Sequence, residues 1–271
     1  MIVTRVSLAS GHHIATIEAG PHDAPAIVLI HGIAQSKQAF ARLLAGPLAT
    51  TVRLIALDLR GHGDSDDPAA DASVTRADLA ADVAAVVTGL GLVRPWLAGW
   101  SFGGVVIGEY LRRFGDDGLG GLLYLAGSVR TGREAASLFG PVMMNHARGL
   151  LSEDVAEYAA AARAFVAEGA AVPLAPAALD RMVADMLRVP ARVRRPLLAG
   201  GEDYRATLAA TRVPLATIHG ALDPVVLPAM SDLVGACRPD VTAIRIPGAG
   251  HTPWLETPAQ FDAAIAAVLA L

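Results

Sequence analysis

The sequence has 271 residues, of which 53% are hydrophobic and 18% are charged, and its formal net charge is −4. This hydrophobic content allows a large buried core and excludes a disordered or fibrous chain. The acidic balance argues against nucleic acid as the main partner, and the densest basic cluster, residues 192–195, is interpreted as a solvated loop or helix face.

The cysteine content and the first residues bear on where the protein works. Cys237 is the only cysteine, so an internal disulfide is impossible and the chain fits a reducing cytosol. The residues after Met1 alternate as in a strand and do not resemble a secretory signal, and no apolar run is long enough to span a bilayer. We therefore expect a cytoplasmic protein that binds neither nucleic acid nor membranes.

Hydrophobic patterning predicts strands and helices in alternation through the first half of the chain. Residues 2–8 and 13–18 are predicted strands, joined by a hairpin near Ser10, Gly11 and His12. Further strands are predicted at residues 26–30, 52–57, 96–100 and 121–126, and helices at residues 37–48, with Ser36 as N-cap, 75–90 and 105–114. This order predicts an α/β fold with a mostly parallel sheet and helices on both faces.

The alternation stops after residue 127. Residues 130–211 contain no clear strand, only helical segments at 134–147, 153–168, 177–187 and 204–210, which prolines separate. We interpret residues 130–211 as a helical cap inserted into a core of residues 1–129 and 212–271. Strands at residues 213–219 and 241–247 and helices at residues 227–237 and 258–271 complete the predicted core.

A G-x-S-x-G motif, with Gly99, Ser101 and Gly103, lies between a predicted strand and a predicted helix. Ser101 must occupy a turn so tight that its backbone is strained, and residues without a Cβ leave room for the strand and helix to pass each other. The motif therefore predicts an exposed serine hydroxyl at the end of the sheet.

Polar runs follow other predicted strands, at residues 31–32, 58–65 and 219–224, and a Gly-rich loop at residues 248–251 ends in a histidine. Together with the G-x-S-x-G, these motifs resemble the α/β-hydrolase superfamily, in particular its non-haem haloperoxidase and small carboxylesterase branch. The resemblance spans nearly the whole chain except the cap. It implies an α/β-hydrolase fold but leaves the substrate open.

A serine hydroxyl is a weak nucleophile unless a base accepts its proton and a third group orients that base. Beside Ser101, His251 is the candidate base, and Asp223, which Pro224 leaves at a strand end, is the candidate acid. Asp203 and Glu256 are alternative acids. The order Ser101, Asp223, His251 is the one that the resembled family uses.

The oxyanion of acyl transfer needs preorganised donors. The backbone N–H of Phe102, at the start of a helix, is one candidate, and the resemblance implies the N–H of Ile33 as the second. His219 and His146 are interpreted as ordinary strand-end and helix histidines. The candidates for an apolar substrate pocket, each of which could equally be core, are Ile33, Trp100, Phe102, Phe139, Met143, Met144 and Val225.

These features predict a serine hydrolase that cleaves a carboxylic ester of a small, largely apolar molecule through an acyl-enzyme, with water as the second substrate. No spacing indicates a metal or a nucleotide cofactor. The related epoxide hydrolases and haloalkane dehalogenases are set aside because they place a carboxylate where this chain has Ser101. A C–C bond hydrolase of a vinylogous diketone, an acyltransferase or perhydrolase, and a hydrolase-like receptor remain alternatives, and the oligomeric state, a homodimer included, stays open.

Overall fold

The computed structural model describes residues 1–8, 11–68 and 73–270, and Ser10 of the predicted hairpin and the terminal residue 271 lie outside them. Eight strands form one sheet in the order β1-β2-β4-β3-β5-β6-β7-β8. Strands β1 and β2 pair antiparallel, as predicted, β2 pairs antiparallel with β4, and all later pairs are parallel. The strands are β1 (Ile2–Ser7), β2 (His13–Ala19), β3 (Ala26–Ile30), β4 (Arg53–Leu57), β5 (Trp96–Trp100), β6 (Gly121–Leu125), β7 (Leu215–Gly220) and β8 (Thr242–Ile246).

The helices within the described residues follow the same chain order. They are α1 (Ala41–Leu44), α2 (Arg76–Gly89), α3 (Gly103–Phe114), α4 (Pro141–Leu150), α5 (Val155–Gly169), α6 (Pro176–Arg188), α7 (Ala191–Leu198), α8 (Arg205–Ala209), α9 (Ala229–Cys237), α10 (Pro253–Glu256) and α11 (Pro258–Leu269). None of the helices described is long and apolar enough to cross a bilayer.

The strand order reverses direction at β3, and this reversal locates the functional edge. The chain moves from β3 to β4 on one side, then returns to β5 on the other side and continues outward to β8. Right-handed crossovers therefore place α1 on one face of the sheet and α2 and α3 on the other. In such sheets, ligands bind beyond the carboxyl ends of the strands at the reversal point.

Two predicted helices differ from the structure, and prolines explain both. Residues 37–48 form a 3-10 helix at Lys37–Phe40, the short α1 and a second 3-10 helix that begins at Pro47. The segment at residues 134–147 is likewise divided, because Pro141 occupies the first turn of α4. As predicted, the side chain of Ser36 caps its helix by accepting a hydrogen bond from the N–H of Gln38 at 3.1 Å.

The basic cluster at residues 192–195 agrees with the sequence interpretation as a solvated helix face at Arg192 and Arg195, but not at Arg194. It lies in α7, which the sequence analysis did not predict because it contains Pro196. Arg194 is buried rather than solvated: its guanidinium lies 3.7 Å from the ring centre of Tyr158 and donates to the carbonyl of Leu150 at 2.7 Å. A cation over an aromatic face together with hydrogen bonds to carbonyls compensates for the lost hydration of the charge.

Residues 130–211, which we predicted to be the cap, contain α4 to α8, and polar contacts join them to the loops of the predicted core. Ser36 donates to the Asp185 carboxylate of α6 at 2.6 Å, and both residues are buried. Lys37 binds Asp64 of the core at 2.7 Å, and Arg188 at the end of α6 binds the same carboxylate at 3.0 Å. These contacts hold α6 beside the loops that follow β3 and β4.

Candidate active site

Ser101 lies in the turn between β5 and α3 with a φ of +54°, a conformation that residues with a side chain rarely adopt. The end of β6 and the loop after it support this turn. The backbone N–H of Ser101 donates to the carbonyl of Leu125 at 3.1 Å, and the backbone carbonyl of Ser101 accepts from the N–H of Ser128 at 2.9 Å. A Cβ at Gly103 would lie 2.4 Å from the carbonyl oxygen of Ile30, so only glycine lets α3 start this close to β3.

His251 and Asp223, from the loops after β8 and β7, meet directly. The Nδ1 atom of His251 lies 2.8 Å from Oδ2 of Asp223, and both side chains are buried. Because a carboxylate only accepts, Nδ1 donates, which leaves Nε2 unprotonated and able to accept a proton. His251 and Ser101 line the same small cavity.

Three further donors hold the Asp223 carboxylate. Its Oδ1 accepts from the N–H groups of Val225 and Val226 at 2.8 and 3.1 Å, and its Oδ2 also faces Nε2 of His219 at 3.1 Å. Burial disfavours the charge, but the attraction of His251 and the hydrogen bonds from both histidines outweigh it, so the pKa of Asp223 lies below its usual value. The residue is therefore ionised at neutral pH.

His219, interpreted from the sequence as an ordinary strand-end histidine, is part of this cluster. Its Nε2 lies 2.8 Å from the carbonyl oxygen of Val226 as well as 3.1 Å from Asp223. Since both oxygens only accept, Nε2 carries the proton, and Nδ1 faces the hydroxyl of Ser231 at 2.7 Å. No local pattern indicates this contact, because it depends on the turn that brings Asp223 back over β7.

The two alternative acids, Asp203 and Glu256, have other partners in the structure. Asp203 pairs with Arg130 and Arg205 at 3.2 and 2.6 Å. Glu256 is buried, and its carboxylate accepts hydrogen bonds from other groups, including the backbone N–H of Gly250 at 2.7 Å. Its described partners do not include the imidazole of His251. Within the described residues, Asp223 is thus the acid that contacts the His251 ring.

Two backbone N–H groups near Ser101 have no acceptor within residues 1–8, 11–68 and 73–270. Neither Ile33 N–H nor Phe102 N–H donates a hydrogen bond to any described residue, and both residues line a cavity together with Ser101. Buried N–H groups are rarely left without an acceptor. A tetrahedral oxyanion is stabilised by preorganised donors of this kind.

His31 fixes the loop that carries Ile33. Its Nδ1 donates to the carbonyl of Gly32 at 2.8 Å, and its Nε2 accepts from the N–H of Leu59 at 3.1 Å, an arrangement that requires the neutral ring. Burial, opposed in part by the Gly32 hydrogen bond and reinforced by Lys37, lowers the pKa of His31 to about 4. The ring therefore stays neutral under physiological conditions.

Two cavities open at Ser101. The larger, of about 370 Å³, is lined mainly by apolar residues of the core and the cap, and the smaller, of about 20 Å³, is lined by His251 among others. Of the predicted pocket residues, the larger cavity contains Ile33, Phe102, Phe139, Met143 and Met144.

Trp100 and Val225 are the two predicted pocket residues that do not line the larger cavity. Trp100 lines only the smaller cavity and donates from Nε1 to the carbonyl of His251 at 3.0 Å. Val225 lines neither cavity and is fully buried, and it contributes its backbone N–H to Asp223. Among the described residues, no three His, Cys, Asp or Glu side chains are grouped so that they could hold a metal ion.

The model of the Alpha/beta hydrolase family matches residues 27–264, which include every strand from β4 onward and the turn at Ser101. The chain belongs to the α/β-hydrolase family. The predicted fold class and resemblance are thereby confirmed. A crystal structure of esterase RhEst1 from Rhodococcus sp. ECU1013 superimposes on this α/β hydrolase with a TM-score of 0.89, at 30% identity, over 100% of this chain and 99% of that one.

Curated relatives agree at the level of family. The α/β hydrolase is 28% identical over 268 residues to a pimeloyl-[acyl-carrier protein] methyl ester esterase of Edwardsiella ictaluri, which covers 92% of this chain and 94% of that protein. It is also 31% identical over 114 residues to Epoxide hydrolase 3 of Siraitia grosvenorii, but it spans only 34% of that relative's length. Over nearly its whole length, the chain is similar to proteins named as esterases.

Proposed function

We propose that this protein is a serine hydrolase that cleaves carboxylic esters of small, largely apolar molecules through an acyl-enzyme. The observation that carries the proposal is the unbonded pair of N–H groups, from Ile33 and Phe102, beside a serine that shares a cavity with a carboxylate-bound histidine. Only a reaction that develops negative charge on an oxygen at Ser101 uses such donors. The esterases among the similar proteins support the same reaction class.

In the first half of the reaction, Ser101 Oγ attacks the ester carbonyl carbon while its proton passes to Nε2 of His251. The carbonyl oxygen becomes an oxyanion that accepts hydrogen bonds from the two N–H groups, and Asp223 stabilises the imidazolium. The intermediate collapses when the alkoxide leaves with the proton from His251. The alcohol is released and Ser101 carries the acyl group.

In the second half, a water molecule replaces the alcohol. His251 accepts a proton from this water as its oxygen attacks the acyl carbon, and the same N–H groups stabilise the second oxyanion. The proton then returns to Ser101 Oγ as the carboxylic acid leaves. Buried Asp223, ionised at neutral pH, favours the imidazolium in both halves.

The test is hydrolysis of a chain-length series of p-nitrophenyl and methyl esters at pH 7 to 8. We expect saturable turnover by the wild type and a loss of kcat of at least about a thousandfold for Ser101→Ala. Ser7→Ala, in the exposed part of edge strand β1, is the matched control and should keep wild-type kcat. If no ester is turned over and a vinylogous diketone or a bound small molecule is recognised instead, the ester assignment is wrong.

We also propose a cytoplasmic location, which the single cysteine supports because a reducing compartment leaves Cys237 as a free thiol. Cell fractionation of the source organism tests this location. Recovery of the protein outside the cytoplasmic fraction would contradict it.

A further inference from the structure

All charged side chains that line the larger cavity, among the described residues, are positive. Its described lining residues include Arg76 and Arg133 but no aspartate or glutamate. The remaining lining is mostly apolar, including Phe139, Met143 and Leu197. Guanidinium groups stay protonated at any physiological pH, so the cavity that contains Ser101 is both apolar and positively charged.

Arg133 is exposed and has no ion-pair partner among the described residues. Its acidic neighbours are already paired with other arginines. Glu134 binds Arg130 at 2.7 Å, and Asp203 binds Arg130 and Arg205. Arg133 is therefore available to bind an anion from the cavity.

Arg76, the first residue of α2, is half-buried, and one of its buried donor atoms has no acceptor among the described residues. Its Nη2 donates to the carbonyls of Leu197 and Ala199 at 3.0 and 2.6 Å, and its Nη1 lies 3.4 Å from Glu202. Its Nε is buried and has no acceptor in the described part of the chain. A buried donor without an acceptor destabilises the protein alone, whereas a ligand oxygen that reaches it gains a charge-assisted hydrogen bond.

The relative sizes of the two cavities indicate which cavity takes the alcohol part of an ester and which takes the acyl part. His251 must reach the leaving oxygen, so the alcohol part faces the smaller cavity, whose 20 Å³ holds little more than one water. The larger cavity, of about 370 Å³, is within the size range of ligand pockets and is left for the acyl part.

We propose that the acyl part of the substrate ends in a carboxylate that binds Arg133, assisted by Arg76. The substrate class is then a short-alcohol monoester of a dicarboxylic acid. The methylene chain packs on the apolar wall, and the distal carboxylate forms an ion pair with Arg133. The assignment of the acyl part rests on the proposed ester hydrolysis. The anion subsite rests only on the cavity and its charges.

The experiment compares methyl monoesters of dicarboxylic acids, from six to ten carbons, with methyl alkanoates of the same length. We expect the wild type to favour the charged esters at least tenfold in kcat/KM at low ionic strength, and this preference to fall as salt screens the arginines. Arg133→Gln should lose most of the preference through a higher KM for the charged esters. Arg148→Gln, on an exposed arginine of α4 outside the cavity lining, is the matched control and should keep it.

A binding measurement separates the two proposals. Calorimetry with Ser101→Ala and the uncleaved methyl monoester should give a Kd that Arg133→Gln raises at least tenfold. If esters are cleaved without a charge preference, or Arg133→Gln affects both ester series equally, the anion subsite is wrong and the esterase stands. If no ester is cleaved but binding still depends on Arg133, the subsite stands and the ester hydrolysis is wrong.

Discussion

The backbone N–H of His251 donates a hydrogen bond to the carbonyl of Gly169 at 2.9 Å, which joins the candidate base directly to the last residue of α5 in the cap. The other side of this loop is also fixed, because Trp100 donates to the carbonyl of His251 at 3.0 Å. The imidazole is therefore positioned by the cap and the core together. A cap displaced from its place would leave Ser101 without a correctly oriented base.

Glu256 strengthens this connection, so its carboxylate is expected to position His251. Its Oε2 accepts from the N–H groups of Gly250 and Ala171 at 2.7 Å each, and its Oε1 accepts from Thr252 N–H at 2.9 Å. Glu256→Gln places an amide NH₂ against N–H donors. We expect kcat to fall about tenfold with little change in KM, and the free energy of unfolding to fall by about 1 to 3 kcal/mol.

Steady-state kinetics and urea unfolding of Glu256→Gln check this prediction. Glu168→Gln is the control, because that carboxylate is exposed and its ion-pair partner among the described residues is His146. Both quantities should therefore stay near wild type. A variant that loses stability but keeps its kcat would show that Glu256 supports the fold without orienting the base.

His219 is expected to position Asp223. His219→Leu removes the Nε2 donor that lies 3.1 Å from Oδ2 of Asp223 and leaves the buried carboxylate with fewer partners. We expect kcat to fall tenfold or more, with KM changed less, because the orientation of His251 depends on the same oxygen.

The conservative variant tests the cause. The amide NH₂ of His219→Gln can still donate toward Asp223, so it should recover part of the kcat that His219→Leu loses. Equal kcat in the two variants would mean that filling the space matters and the hydrogen bond does not. Circular dichroism melting of both variants checks that each is folded at the assay temperature.

The stability of the protein should depend on pH through His31 and His62, whose rings lie 5.0 Å apart in the core. Burial lowers the pKa of His31 to about 4. Burial and the neighbouring His31 ring lower the pKa of His62 to about 3. An unfolded histidine titrates near 6.5, so between pH 6.5 and 4 the unfolded state binds more protons than the folded state. Stability is thus full above pH 6.5 and is lost as the pH falls toward 4.

We expect the free energy of unfolding to decrease by about 3 kcal/mol over this interval from His31 alone, since each pKa unit corresponds to about 1.4 kcal/mol. Urea unfolding at pH 7.0, 5.5 and 4.5 measures the slope. His31→Asn should be less stable at pH 7 but should have a shallower slope. His22→Gln, at an exposed histidine, should leave the slope unchanged. A wild-type slope near zero would be incompatible with two buried neutral histidines.

Local patterns in the sequence determined most of the fold. Apolar runs of five or six residues predicted the buried strands, and the role of Ser36 as a helix cap was predicted from capping chemistry, which depends on neighbours within a few positions. The family resemblance and fold class followed from motifs at strand ends and are confirmed by the family match. The breaks at Pro47 and Pro141 and the existence of α7 were missed, because a proline signals a boundary without saying whether a helix begins or ends there.

Tertiary structure decided what depends on the path of the chain. The sequence favoured Asp223 as the acid but left Asp203 and Glu256 as alternatives, and the packing of β7 against β8 places Asp223 at His251. Two further contacts depend on the path of the chain in the same way. They are the contact of His219 with the same carboxylate and the hydrogen bond from His251 to Gly169. The position of Arg133 at the larger cavity, opposite core residues such as Ile33, is also set only by the tertiary structure. Periodicity and capping are short-range effects, whereas a site is made by side chains from several strand ends that meet only after the sheet has formed.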